Sequence, residues 1–593
     1  MTASKRPPIS MIDLLRHEMA ASGVDGLFVC NDGRAAESGV FTKSRNSFSK
    51  VTGLEASHAV LLILPDKLYC AVDLDHYARV AKALRAKGVD VHPAGPDASE
   101  RLVQYATSRR LVFDGTMLTA DEGRRWYAAC DRVNSTLVFS DFFSKMIHAD
   151  EPEVLERASG SLYVVNGRQP ESERACARLA ALRDRLSPED VYIVADPNYV
   201  SWVTGLRCRA FEDNAVHGAL LVVSSDAAML YTRPETVAES VRGYIRPIAV
   251  RDIDSPLPDV RGRALFLTEG ADALTWGRLR ETYRRQLAYV DPETDVGYTA
   301  RVKKSAWELD CMQSAHIEDA LVMCEIFAEL DERLRAGYRV TEFEFAQQLS
   351  RARCASEGCF GDSFPPIVAS GASAAAPHYE SALGRQRRIA RNELLLVDSG
   401  GHWCTGTTDI TRCFAYGPVA SDILHVSTLV LKGLLELTRR RFNDETPPAA
   451  LDAQARNFLK SEGLDYPHTT GHGVGFGMCV HEPLVRISSR PTLPLRPGHV
   501  VTIEPAYYQP RRFGVRWENT LKVVEVNEAG GRYGFETLTL FPYDRNAFLP
   551  SELTDEERGQ INAYHARVRS TLEITCRLSP RAQMWLRSQT EPL

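Results

Sequence analysis

Residues 393–414, ELLLVDSGGHWCTGTTDITRCF, decide the fold of the second half of the chain. They read as a strand, a polar hairpin and a returning strand, with an aspartate on each. Side chains alternate across a strand, so Leu394, Leu396 and Asp398 share one face while Leu395 and Val397 take the other. Asp398 therefore ends a buried strand. The hairpin turns through Gly400, Thr405 and Gly406, and in the returning TTDITRCF the residues Thr407, Asp409 and Thr411 share a face. Carboxylates eleven residues apart on neighbouring strands can meet at one site, yet Gly-rich hairpins also contain plain turn aspartates. The hairpin alone leaves both readings open.

The later segments weigh toward a site. HVVTIEPAYY (499–508) sets Glu504 inside an apolar strand just before Pro505, which forces an extended conformation on it. GVRWENTLKVVEV (514–526) does the same with Glu518, and Arg516, two residues earlier on that face, could hold and orient a ligand carboxylate without binding metal itself. A structural ion pair of Arg516 with Glu518 or Asp398 would explain the arginine but not the other acids. HTTGHGVGFGMCVHEP (468–483) adds His468, His472 and His481 among glycines that allow close backbone approach. His472, in what reads as a tight GHG turn, is the best ligand. His468 and His481 could donate to a carbonyl or move protons near neutral pH, and His378 follows a small-residue loop that looks like a pocket wall. Asp398, Asp409, His472, Glu504 and Glu518 together form a site for two divalent cations. Imidazole and carboxylate suit manganese, zinc, cobalt or iron, and two metals about 3.5–4 Å apart can share one activated water.

A chain of 593 residues is too long for one core and implies roughly three domains. With 44% apolar and 25% charged residues it has an ordinary globular composition. A net charge of −6 and the absence of a sustained basic stripe give no warrant for nucleic acid or an acidic membrane. Thirteen cysteines without any C-x-x-C pair read as thiols in a reducing compartment. The first residues lack a signal-type apolar segment and no apolar run approaches a spanning length, so a cytoplasmic location is expected.

The first half repeats itself at a spacing near 152 residues. An amphipathic helix (Met11, Leu14, Leu15, Met19), the strand-like VDGLFVC and the stretch FSKVTGLEASHAVLLILPDKLY have counterparts. These are a helix around Leu179 and Leu182, then DVYIVA, VSWVTGL and GALLVVSSDAAMLY. Two duplicated α/β domains are the reading. A third begins near residue 298 with a long helix, capped by Ser305 with Glu308 and ended at Gly337. Thr341 with Glu344 and Thr554 with Glu557 mark two further helix starts.

Five motifs, SFPPIVASGASAAAPHY, LLLVDSGGHWCTGTTDITR, HTTGHGVGFGMCVHEP, VTIEPAYY and GVRWEN, stand in an order that resembles the pita-bread metallopeptidases, most closely aminopeptidase P. Nearly the whole chain is covered, since the duplicated N-terminal domains and the closing INAYHARVRSTL resemble the long, three-domain form. The resemblance implies α/β and α+β architecture: creatinase-like domain I over 1–150, creatinase-like domain II over 151–297, and a pita-bread catalytic domain over 298–593. It implies that Asp398 chelates one metal, that Asp409 and Glu518 bridge both, and that His472 and Glu504 complete the other shell. His378 and His481 would contact substrate and stabilise the tetrahedral intermediate. His468 would aid proton transfer, and Glu504 would exchange a proton with the bridging water. The implied metal is usually manganese, the implied substrate a peptide with proline second, and the implied assembly a homodimer.

Several residues depart from the family pattern: Thr405 for an acid, HTTGHG for HGTGHG, Glu482-Pro483 without an intervening glycine, and Ala506 after Pro505. None removes a ligand. They bear on pocket shape, and Cys404 and Cys479 near the site add sensitivity to oxidation or metals. A prolidase-like dipeptidase, or a relative acting on another small molecule, is the alternative enzyme. A pita-bread binding module without catalysis is the alternative from another class.

Overall fold

Each VTGL tetrapeptide ends a helix in the computed structural model, Ser47–Thr52 in the first copy and Pro197–Thr204 in the second. The threonine hydroxyl donates to the carbonyl four residues back, Phe48 or Val200, at 2.7 Å in both. The same oxygen accepts the N–H of Leu54 at 3.2 Å or of Leu206 at 3.3 Å. Gly53 and Gly205 then leave the helix at φ +73° and +72°, a left-handed cap that glycine takes without steric cost. A four-residue identity thus carries an identical local structure.

The described residues are all except 1–10, 33–46, 55, 57, 96–97, 150–161, 165–170, 209–218, 238, 243–244, 246–247, 380, 382–386 and 529–530. They form two units: the described residues of 296–593, with Tyr163, Val164 and Glu171, make the second, and the other described residues make the first. The expected boundary at 150/151 lies outside the described residues.

The first unit holds two six-stranded sheets. One runs Asp90–Pro93, Leu68–Val72, His58–Ile63, Gly26–Asp32, Arg110–Phe113, Thr136–Phe139; the other runs Ala249–Asp252, Ala228–Thr232, Leu220–Val223, Val191–Val194, Ala264–Leu267, Leu287–Val290. Both read parallel, antiparallel, antiparallel, parallel, parallel along that order. Helices Ala120–Arg132 and Ala273–Tyr283 occupy equivalent places after the fifth strand of each sheet. Their N-caps, Thr119 and Asp272, form an antiparallel bridge. The helices touch so closely that a Cβ on Gly123 would lie 2.3 Å from that of Ala273.

The second unit is built around the opening hairpin. Ile367–Ser370, Leu394–Ser399 and Ile410–Ala415 form an antiparallel sheet with Asp398 opposite Thr411. Alternation sends its faces to two cores. Leu394, Leu396, Ile367 and Cys413 join the cluster of helices Ser421–Thr438 and Pro448–Lys460, whereas Leu395, Val397, Val368 and Phe414 pack under the long helix Ala306–Arg335. Phe327 of that helix stacks on Phe414 at 4.5 Å. Both capping-box bonds form at Ser305/Glu308, Thr341/Glu344 and Thr554/Glu557. Gly337, at φ +84°, ends the long helix, and the Tyr338 N–H returns to Arg333 O at 2.9 Å. A second antiparallel sheet runs Glu482–Ile487, Gly471–Gly473, Val500–Ile503, Asn519–Glu528, Gly531–Thr537. The chain brings the ends of these two sheets together, with Glu518 N–H bonded to Thr411 O.

On the surface of this unit His425 joins three segments. Its Nδ1 meets Glu552 at 2.7 Å and its Nε2 meets Glu462 at 2.9 Å. Hydrogen bonds to Glu462 and then Glu552 hold its pKa above the ordinary value of 6.5. A raised histidine value gives stability that is full below the unfolded pKa and is lost as pH rises through the folded one. The groups are about a third exposed, which limits the effect to about 1 kcal/mol. His425→Gln should therefore lower the melting temperature by ~2 °C more at pH 6 than at pH 9. Thermal scans at both values check this, and equal losses contradict it.

Candidate metal centre

The ligand candidates sit where strands end. Asp398 lies one residue from the end of its strand, and Asp409 immediately precedes Ile410–Ala415. Glu504 and Glu518 do not lie inside strands, as the sequence suggested. They occupy the short breaks 504–505 and 517–518, between Val500–Ile503 and Ala506–Gln509 and between Phe513–Arg516 and Asn519–Glu528. Pro505 has no N–H to continue a ladder, and the buried Trp517 donates from its indole to Ser427 O at 3.2 Å, pinning the second break. The chain changes partner there and turns both carboxylates to the same side. Glu504 N–H bonds Thr470 O at 2.7 Å, and Glu518 N–H bonds Thr411 O at 3.2 Å.

His472 also differs from its reading as a turn. Gly471–Gly473 is a strand, and its glycines serve backbone packing: a Cβ on Gly471 would lie 1.9 Å from Thr502 O. His472 Nδ1 is 3.0 Å from its neighbour's carbonyl, Gly473 O, the geometry in which Nδ1–H donates and Nε2 is left as a ligand atom. Nε2 lies 3.4 Å from Asp409 Oδ2 and 3.6 Å from Glu504 Oε1. Asp409, His472 and Glu518 each offer a ligand atom within 4.8 Å of the others.

Asp398 is held from one side. Its Oδ2 takes Arg516 Nη2 at 2.5 Å, while its Oδ1 is buried with no hydrogen-bond partner among the described residues. Arg516 also donates from Nε to Thr411 Oγ1 at 3.0 Å and from Nη1 to Tyr508 OH at 2.5 Å. The Thr411 hydroxyl in turn donates a hydrogen bond to Glu518 Oε2 at 2.7 Å. One guanidinium therefore orients two of the acids, directly and through a hydroxyl.

Crowding of buried carboxylates shows in their protonation. Burial, then repulsion from Asp398, lifts Asp409 to about 6 against the pull of His472 and Arg516. Burial, with Asp409 and Asp398 added, lifts Glu504 to about 7. Glu518 goes well above the carboxylate range for the same reasons. Burial lowers His472, but its contacts with Asp409 and Glu504 prevail and raise it to about 9. Such a donor set fits divalent cations: hard oxygens plus one imidazole, one carboxylate oxygen without a partner, and a negative field that cations would neutralise.

The remaining histidines lie beside the cluster. His481 is exposed, with its ring 4.3 Å from that of His472, and His378 is exposed and close enough to affect the charge of His468 and His481. Both nitrogens of His468 are engaged, Nδ1 with Thr469 O at 2.8 Å and Nε2 with Tyr508 OH at 2.9 Å. Burial, then Arg516, draws His468 down to about 3, so it stays neutral. Sequence reasoning missed Tyr508, which bridges His468 to Arg516. Its signal was its place in VTIEPAYY, four residues after Glu504. It also missed Arg412, a fully buried cation in the strand ITRCFA whose guanidinium gathers Phe541 O at 2.7 Å, Pro542 O at 3.1 Å and the carbonyl of Glu518.

The departures noted in the sequence have local outcomes. Near Glu482-Pro483 the register slips beside His472, and Leu484 takes φ +76°. Glu482 turns to the buried Lys304 and lies 3.7 Å from Arg301. No disulfide joins cysteines among the described residues, and no helix among them is long and apolar enough to cross a membrane.

Comparison with known proteins places this geometry. Residues 310–525 match the model of metallopeptidase family M24, and residues 531–593 match the C-terminal region of peptidase M24. A protein of Pyrenophora tritici-repentis named "Probable Xaa-Pro aminopeptidase P" is 30% identical, over 94% of this chain and 98% of its own length. Aminopeptidase P2 of Arabidopsis thaliana is 28% identical over 92% of this chain and 82% of its own. The crystal structure of X-prolyl aminopeptidase from Caenorhabditis elegans, described as a cytosolic enzyme with a di-nuclear active site, shares the fold. Its TM-score is 0.81, covering 98% of both chains at 24% identity. With two duplicated α/β sheets ahead of a pita-bread domain whose strand ends gather the acids, the chain belongs to metallopeptidase family M24, on its aminopeptidase P branch.

Proposed function

We propose that this chain is a two-metal aminopeptidase that removes the N-terminal residue preceding proline from peptides. The convergence of Asp409, His472 and Glu518 within 4.8 Å, beside Asp398 and Glu504, carries the reading. Two divalent cations held by Asp398, Asp409, His472, Glu504 and Glu518 would polarise the scissile carbonyl and activate water at neutral pH. Asp409 and Glu518 would serve both cations, Asp398 would serve one, and His472 and Glu504 would serve the other, the roles that the resemblance implies. Manganese is the metal proposed.

The chain's own groups do the rest. Glu504 takes the proton of the attacking water at its carboxylate, with His468 Nδ1 3.9 Å away. His378 and His481, exposed beside the cluster, hold the substrate carbonyl and donate to it as charge builds on its oxygen. Neutral His468 takes the Tyr508 hydroxyl proton in a hydrogen bond and keeps that wall rigid. Arg516 holds Asp398 oriented through its contact with Oδ2. A prolyl bond has no N–H for a strand-like protease to hold, whereas this site needs only the free amine, the carbonyl and the ring nitrogen that leaves protonated. The domain limits 1–150, 151–297 and 298–593, a homodimer, a cytoplasmic location and the lack of nucleic-acid or membrane partners belong to the same proposal.

The test is substrate choice. Manganese-loaded protein is expected to release arginine from Arg-Pro-Pro and not from Arg-Ala-Ala. Cleavage of Xaa-Pro dipeptides alone would replace this reading with a dipeptidase, and no release from any of them would end it.

A further inference from the structure

The loop between helix Pro448–Lys460 and strand Gly471–Gly473 carries His468 and leads into His472. A single guanidinium from the helix is wrapped inside it. Arg456 donates from Nη2 to His468 O at 2.6 Å, from Nη1 to Tyr466 O at 2.8 Å and Asp465 Oδ1 at 2.7 Å, and from Nε to Asp452 Oδ2 at 2.9 Å. Its Cζ lies 3.8 Å from the centroid of the Tyr466 ring. The other oxygen of Asp452 takes the Thr470 hydroxyl at 2.6 Å, and Thr470 O takes the Glu504 N–H at 2.7 Å.

The helix does not need this side chain for its own docking, since Leu451, Ala455 and Leu459 bury it in the core. Apart from Asp452 on its own helix, every group that Arg456 meets belongs to residues 465–468, and Asp452 reaches the same loop at Thr470. We propose that Arg456, working with Asp452, is a positioning residue for the aminopeptidase reaction: it fixes the backbone of His468 and, through Thr470, that of Glu504. The inference rests on the function proposed above.

Arg456→Lys keeps a cation beside Asp452 but loses the planar fork whose Nη1 and Nη2 separately reach the carbonyls of Tyr466 and His468. Thr470→Val removes the hydroxyl that joins Asp452 to the loop and leaves Arg456 in place. Displacement of a reacting group by about 1 Å can cost on the order of 100-fold in rate. R456K is therefore expected to lower kcat by roughly 10–100-fold with KM within about two-fold, and T470V by roughly 5-fold. The visible spectrum of the cobalt-loaded protein reads the surroundings of Glu504 without substrate, and it is expected to shift in both variants. A wild type that cleaves no Xaa-Pro peptide sinks the proposed function, while a spectral shift in R456K still supports the positioning role. A folded, metal-replete R456K or T470V with wild-type kcat and an unchanged cobalt spectrum overturns the inference, as does a loss confined to melting temperature.

Discussion

Glu504→Gln is expected to lower kcat for arginine release from Arg-Pro-Pro by about 1,000-fold, the middle of the range for removing a general base. The amide keeps the size of the side chain and one oxygen for metal, but it cannot take a proton. The fold is expected to survive the change. Glu504 is a carboxyl that burial and two acidic neighbours lift to about 7, so a neutral amide relieves repulsion between it and Asp409 and Asp398. Its backbone anchor, the N–H bond to Thr470 O, is untouched. Steady-state kinetics with a melting curve of the same preparation checks both halves. A variant within ten-fold of wild-type kcat would remove Glu504 from its assigned role.

Metal removal is the second large effect. In the absence of cations the four acids face one another with only His472 and Arg516 as positive neighbours in the cluster, and three of them are raised. Cations that bind this site bind the folded chain alone, because its ligands come from separate strands 120 residues apart in sequence, Asp398 to Glu518. Ligand at about 1,000 times its dissociation constant stabilises a fold by about 4 kcal/mol. Chelation is therefore expected to abolish activity and to lower the melting temperature of the second unit, with both restored by manganese. Asp409→Asn removes the charge of a proposed ligand and should shift the melting curve toward the chelated one with metal present. Calorimetric scans that chelator leaves unchanged would contradict this account.

Much of this was legible in the sequence because it is local. Alternation in ELLLVDSGG placed Asp398 at a strand end, the capping boxes fixed three helix starts, and VTGL marked both copies of the repeat. What escaped was set by contacts distant in the chain. The breaks at Glu504 and Glu518 depend on Pro505 and on Trp517 reaching Ser427, ninety residues earlier. Glycines around His472 look like a turn when only their flexibility is considered, whereas here they let a strand press against Thr502. Arg412 carries no periodicity signal at all. Its partners are groups that only the folded chain assembles, up to 130 residues away, whereas Arg456 stands one helical turn after Asp452, a spacing that the sequence does carry.

The central claim is that five side chains on separate strand ends hold two cations. Elemental analysis of metal per chain, on protein purified, loaded with manganese and freed of excess, tests it most directly. The account predicts two equivalents in the wild type and loss of at least one in Asp409→Asn and in Glu518→Gln, each still folded. A wild type that retains no metal, or variants that retain two, would contradict it.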